Sequence, residues 1–144
     1  MKNIPEVKKK ILIIDDEPDV VTYLSAVLEA NGYESYATGD IKTAMEQVKD
    51  IHPDLICLDI VMPEETGISF YTRLREDNEF KSTPVIIISG IVESEKFNFR
   101  SYSKDDSIPP PECYIEKPIN VEVYIKKVKE LVGKNSSTIN RDKN

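Results

Sequence analysis

Five short strand-like runs punctuate this chain, and four of them stop beside a residue that can do chemistry. Ile11-Leu12-Ile13-Ile14 stops at Asp15-Asp16, Leu55-Ile56-Cys57-Leu58 at Asp59, Val85-Ile86-Ile87-Ile88 at Ser89, and Tyr114-Ile115 just short of Lys117. The remaining run, Tyr33 to Thr38, is more mixed. Continuous apolar runs of this length suit parallel strands covered on both faces. That pattern leaves few folds open, because parallel strands need long crossovers between them.

The intervening segments have helical periodicity. Pro18 fits the first turn of a helix with an acidic residue as its cap. Val20, Val21, Leu24, Val27 and Leu28 then repeat on one face, and Asn31-Gly32 closes the helix, since Gly takes the left-handed cap readily. Asp40 caps a second helix bearing Ile41, Ala44, Met45 and Val48. A third runs from Thr66 to about Asp77, and a last one carries Val121, Tyr124, Ile125, Val128 and Leu131. Ser94 to Tyr102 can form one more, whereas Pro109-Pro110-Pro111 forbids a regular helix and favours an extended segment. Strand and helix alternate five times. The expected architecture is an α/β domain, an open doubly wound parallel sheet with helices on both faces.

A length of 144 residues fits one domain, large enough to bury a core without staples. Residues 1–9 read as a leader, 10–132 as the domain and 133–144 as a polar, disordered tail or the start of a linker. The net charge of -7 argues against nonspecific nucleic-acid binding, which needs a basic patch. Lys8-Lys9-Lys10 reads as a solvated leader, and nothing after residue 132 reads as a DNA-binding effector. Cys57 and Cys113 lie in apolar runs and are expected to be buried thiols. With His52 alone they make no zinc site. No run is long enough to span a membrane, and the N-terminus lacks a signal-peptide core, so the expected compartment is the cytoplasm.

In an open α/β sheet, ligands bind beyond the carboxyl ends of the strands. Asp15, Asp16, Asp59, Ser89 and Lys117 are therefore expected to converge. Carboxylates crowded into one pocket repel one another, and a hard cation relieves that repulsion. Magnesium suits such a site, because it takes a few carboxylates together with waters and phosphate oxygens. An aspartate beside it can attack a phosphoryl donor. Lys117 can neutralise one phosphoryl oxygen, and Ser89 can hydrogen-bond another. Each residue also has a plainer reading: Asp15 or Asp16 as a helix cap, Asp59 as a turn residue, Ser89 as a cap, Lys117 as a solvated charge and Tyr114 as packing. None of these explains why all of them fall at strand ends.

The chain resembles the receiver domains of two-component response regulators. The matching pieces are Asp15-Asp16-Glu17-Pro18, Asp59-Ile60-Val61-Met62-Pro63 with Gly67, Ser89-Gly90 and Lys117-Pro118, spanning about residues 10 to 132. The resemblance implies a flavodoxin-like five-stranded sheet of order 2-1-3-4-5 with five helices. It implies that Asp59 accepts a phosphoryl group from a histidine kinase or phosphotransfer protein, with self-directed phosphotransfer and dephosphorylation rather than turnover of a separate substrate. It further implies magnesium held by Asp16 and Asp59 directly, by Asp15 through water and by the Val61 main-chain carbonyl. Ser89 and Tyr114 would be the switch pair, and Lys117-Pro118 a cis peptide. The output surface would be the helix of Ser94–Tyr102, the fifth strand and the last helix, where an effector or a second copy docks.

Two features depart from the family pattern. Ser103 to Glu112 replaces the usual small-residue turn and lengthens the approach to the fifth strand, which is expected to affect partner choice or self-association. Val61 and Ile91 are apolar and cannot orient water, so self-dephosphorylation is not expected to be fast. The competing readings are a pseudo-receiver that binds partners without taking phosphate, and a metal-dependent phosphatase. The intact acidic set argues against the first. The position of His52, at the opposite end of the third strand, argues against the second. Flavin binding is disfavoured by Asp15-Asp16-Glu17, which would repel a phosphate.

Overall fold

The computed structural model describes residues 7–60, 67–90 and 108–133. The elements in chain order are β1 (Lys10–Ile14), α1 (Pro18–Ala30), β2 (Glu34–Thr38), α2 (Ile41–Ile51), β3 (Leu55–Leu58), α3 (Gly67–Glu76), β4 (Val85–Ser89), β5 (Cys113–Glu116) and α4 (Val121–Val132). The five strands form one parallel sheet in the order β2-β1-β3-β4-β5. Four helices stand among the described residues. The fifth expected one, Ser94–Tyr102, lies outside them.

Alternation along the strands divides the core into two layers. Leu12, Ile14, Ile56, Leu58, Val85 and Ile87 face α2 and α3, where Ala44, Val48, Phe70 and Leu74 are buried. Ile11, Ile13, Leu55, Cys57, Ile86 and Ile88 face α1 and α4, meeting Leu24, Leu28, Tyr124 and Val128. Burying one such side chain contributes about 1.5–3 kcal/mol, so the two layers hold the sheet without a disulfide. Cys57 is buried but Cys113 only half-buried, because β5 is an edge strand; the expectation of two buried thiols holds for the first alone.

Local signals act as the residues suggest, with one exception. Asp40 accepts a hydrogen bond from the Lys42 N–H at the start of α2. Gly32 takes a positive φ of 89° just after α1. Glu17 occupies the capping position before Pro18, yet its side chain makes no capping bond. Its carboxylate goes elsewhere, as described below.

The chain before β5 is anchored by a buried arginine. Arg75 of α3 donates from Nε to the Tyr71 hydroxyl (3.0 Å), from Nη1 to the Lys81 and Thr83 carbonyls (3.1 and 2.7 Å), and from Nη2 to Glu112 (3.1 Å). Glu112 also accepts the Val85 N–H at 2.8 Å, and Tyr71 donates to the Pro109 carbonyl at 2.5 Å. Ile108 inserts into the α2–α3 layer. Residues 108–112 form no regular element, in keeping with the prolines, but these contacts anchor them and fix where β5 begins.

Candidate functional site

The carboxyl ends of β1, β3 and β5 bring three of the expected residues together. Asp15 directly follows β1 and Asp59 directly follows β3; both are buried, at 3% and 5% exposure. Each is held by backbone pairing: the Asp15 N–H donates to the Thr38 carbonyl (3.1 Å) and the Asp59 N–H to the Ile14 carbonyl (2.9 Å). Lys117 follows β5 and reaches back across the sheet end. Its ammonium lies 3.2 Å from Asp15 Oδ2 and 3.5 Å from Asp59 Oδ2, and it also pairs with Glu17. The Lys117-Pro118 peptide is cis.

The electrostatics follow from burial and pairing. Burial pushes the Asp15 carboxyl up from its ordinary value, against the lowering effects of the Glu17 N–H at 2.9 Å and the Lys117 charge. Burial works against the charge on Lys117, but the hydrogen bond to Glu17 and the charges of Asp59 and Asp15 outweigh it. The lysine is pushed up to about 12 and stays an ammonium at neutral pH.

Asp15, Glu17 and Asp59 can each place a carboxylate oxygen within 4.8 Å of the others, and they are the one such acidic group among the described residues. Oxygen donors without histidine or thiolate fit a hard divalent cation such as magnesium. Asp16 is exposed and is not one of the three. Glu17 is the participant that sequence reasoning did not single out. A signal was present: three acids in a row before Pro18 cannot all serve as caps, so one is free to face the site.

Ser89 ends β4 opposite Glu116, which brings its backbone to the same end of the sheet; its side chain lies outside the description. Val61 and Ile91 lie outside the described residues. Tyr114 is partly buried on β5, against the α2–α3 layer. His52 sits at the far end of β3 in a left-handed conformation, where its Nε2 is 2.7 Å from Glu79 Oε2. That placement removes it from the acidic pocket. Among the described residues, no helix is long and apolar enough to cross a membrane.

A parallel sheet of this order, with an acidic pocket and a lysine at the carboxyl ends of its strands, defines a doubly wound α/β domain of the flavodoxin-like class. The response regulator receiver domain model matches residues 11–129, and the chain belongs to that family, the receiver domains of two-component signalling. Among its relatives, the polar-differentiation response regulator DivK of Brucella ovis is 30% identical over 127 residues, 87% of this chain and 97% of that protein. The receiver domain of Francisella response regulator 1452 superposes with a TM-score of 0.71 at 28% identity, covering 87% of this chain and 97% of that one. Vibrio cholerae chemotaxis protein CheY4 shares the fold, with a TM-score of 0.74 at 23% identity over 87% of this chain and 99% of that one.

Proposed function

We propose that Asp59 accepts a phosphoryl group from the phosphohistidine of a histidine kinase or phosphotransfer protein, within a receiver unit spanning residues 10–132. In this reaction the P–N bond to the donor imidazole breaks and a P–O bond to an Asp59 oxygen forms. The observation that carries the reading is the buried Asp59 carboxylate facing the Lys117 ammonium at 3.5 Å, with Asp15 beside both. Lys117 holds positive charge where phosphoryl oxygens arrive, so positioning and neutralisation supply most of the catalysis. Asp15, Asp59 and a further acid, Asp16 or Glu17, would hold magnesium, with the Val61 carbonyl expected as an added ligand. When bound, the ion offsets the mutual repulsion of these acids and of the transferring group.

A surface recess lined by Asp19, Val20, Tyr23, Lys117, Pro118 and Ile119 opens beside Lys117 and offers a donor protein an approach. Ser89 and Tyr114 report the phosphoryl group to the face formed by β5 and α4, where a downstream effector or a second copy docks. The unit is a switch that acts on itself, with self-dephosphorylation that is not especially fast, and it works in the cytoplasm. Incubation with acetyl phosphate and magnesium tests the reading. Intact-protein mass spectrometry should show one added phosphoryl group in the parent and none in Asp59→Asn. An unmodified parent would favour a pseudo-receiver instead.

A further inference from the structure

We propose that Glu17 competes with the incoming phosphoryl group for Lys117, so that engaging the phosphoryl group requires this ion pair to open. The inference rests on reading Asp59 as the acceptor. Lys117 meets three carboxylates, and they differ in freedom. The side chains of Asp15 and Asp59 are 3% and 6% exposed and fixed at strand ends, whereas that of Glu17 is 57% exposed. A partner fixed in the site cannot leave, while an exposed one can swing into water at small cost.

Glu17 also has no local structural duty. It stands at the capping position of α1 without a side-chain capping bond, and the first turn begins with proline, which has no N–H to satisfy. Its backbone N–H is already held by Asp15 Oδ1. Among the described residues, the carboxylate pairs with Lys117 alone. A phosphoryl group on Asp59 adds negative charge within reach of the same ammonium. Two anions then contend for one cation, and the mobile one gives way. Glu17 is a positioning residue in this account: it acts through Lys117 and sets how readily that lysine becomes available.

The test uses beryllofluoride, which mimics the phosphoryl group on a carboxylate, titrated into the full chain at saturating magnesium and followed by fluorine NMR. Glu17→Gln should bind it roughly two- to fivefold more tightly than the parent, the range expected for releasing an exposed ion pair. The gain should shrink as salt is raised, because the competing pair is at the surface. Saturating magnesium in both proteins keeps the ion's occupancy equal, so any change in magnesium affinity stays out of the comparison. Unchanged or weaker beryllofluoride binding in Glu17→Gln would overturn the proposal. Binding by the variant but not the parent would support the competition. Binding by neither would overturn both the competition and the reading of Asp59.

Discussion

Gly67, the first residue of α3, is packed directly against Asp59. A Cβ built on Gly67 would sit 2.6 Å from the Asp59 carbonyl oxygen and 2.9 Å from the Ile60 Cα. The Gly67 N–H donates to the Ile60 carbonyl at 2.9 Å, so the start of α3 is fastened to the chain leaving β3. Asp59 and the helix beyond it are therefore set by one close backbone approach.

Gly67→Ala should accordingly destabilise the domain by about 1–3 kcal/mol, the usual cost of forcing a methyl group into packed backbone. Gly90→Ala, where a Cβ would meet nothing within 4 Å among the described residues, should change stability by less than about 0.5 kcal/mol. Urea denaturation of both variants checks the contrast, and equal losses would show that the close approach is not a constraint.

Arg75 holds the segment before β5, and its replacement should be costly. Arg75→Met removes the donor to the Lys81 and Thr83 carbonyls and one of the two donors to the Glu112 carboxylate. These acceptors are only part-buried and water can reach them, so losing the charged donor should cost about 1.5–3 kcal/mol in all. Glu112→Gln keeps an acceptor for both Arg75 and the Val85 N–H and should cost clearly less. Hydrogen exchange at the Val85 and Tyr114 amides reads the local effect: protection should fall in Arg75→Met and largely survive in Glu112→Gln.

Much of this was legible from residue order alone. The apolar runs marked β1, β3 and β4 to within a residue, because buried parallel strands have no polar side to blur the signal. The edge strand β5 was harder, being short and half-exposed, and its flanking segment was unreadable. Ile108 and Glu112 take their roles from Arg75 and Tyr71, far away in sequence, and no local pattern announces a buried guanidinium. The convergence of Asp15, Asp59 and Lys117 followed from strand ends. The direction of the Glu17 side chain did not, because an acid before proline reads as a cap until its tertiary partner is seen.

Lys117 makes a pH prediction. Its folded value, about 12, lies above the ordinary 10.5. Its ion pairs therefore contribute stability that is fully present below the ordinary value and lost as pH rises through about 12. Asp15 runs the other way: its raised carboxyl makes the ionised form costly, so its contribution worsens as pH rises through its folded value. In Lys117→Met the lowering influence of the ammonium on Asp15 disappears. Carbon-detected NMR titration without magnesium should show Asp15 titrating higher in the variant than in the parent; an unchanged Asp15 would contradict the pairing.

Cys57 should be chemically silent in the folded protein. Its thiol is pushed up to about 12 by burial, against the lowering effect of the Tyr124 hydroxyl 3.1 Å away. Thiolate is the reactive form, so alkylation at neutral pH should be confined to Cys113 until denaturant is added. Peptide mapping after brief iodoacetamide treatment checks this, and early labelling of Cys57 would show that the α4 layer opens.

The central claim is that Asp59 itself carries the phosphoryl group. Acetyl phosphate treatment with magnesium, followed by borohydride reduction, converts an aspartyl phosphate to homoserine at the modified position. Peptide mass spectrometry should then find homoserine at residue 59 and at no other aspartate. Homoserine at Asp15 or Asp16 instead, or none in a protein that binds magnesium, would contradict the account.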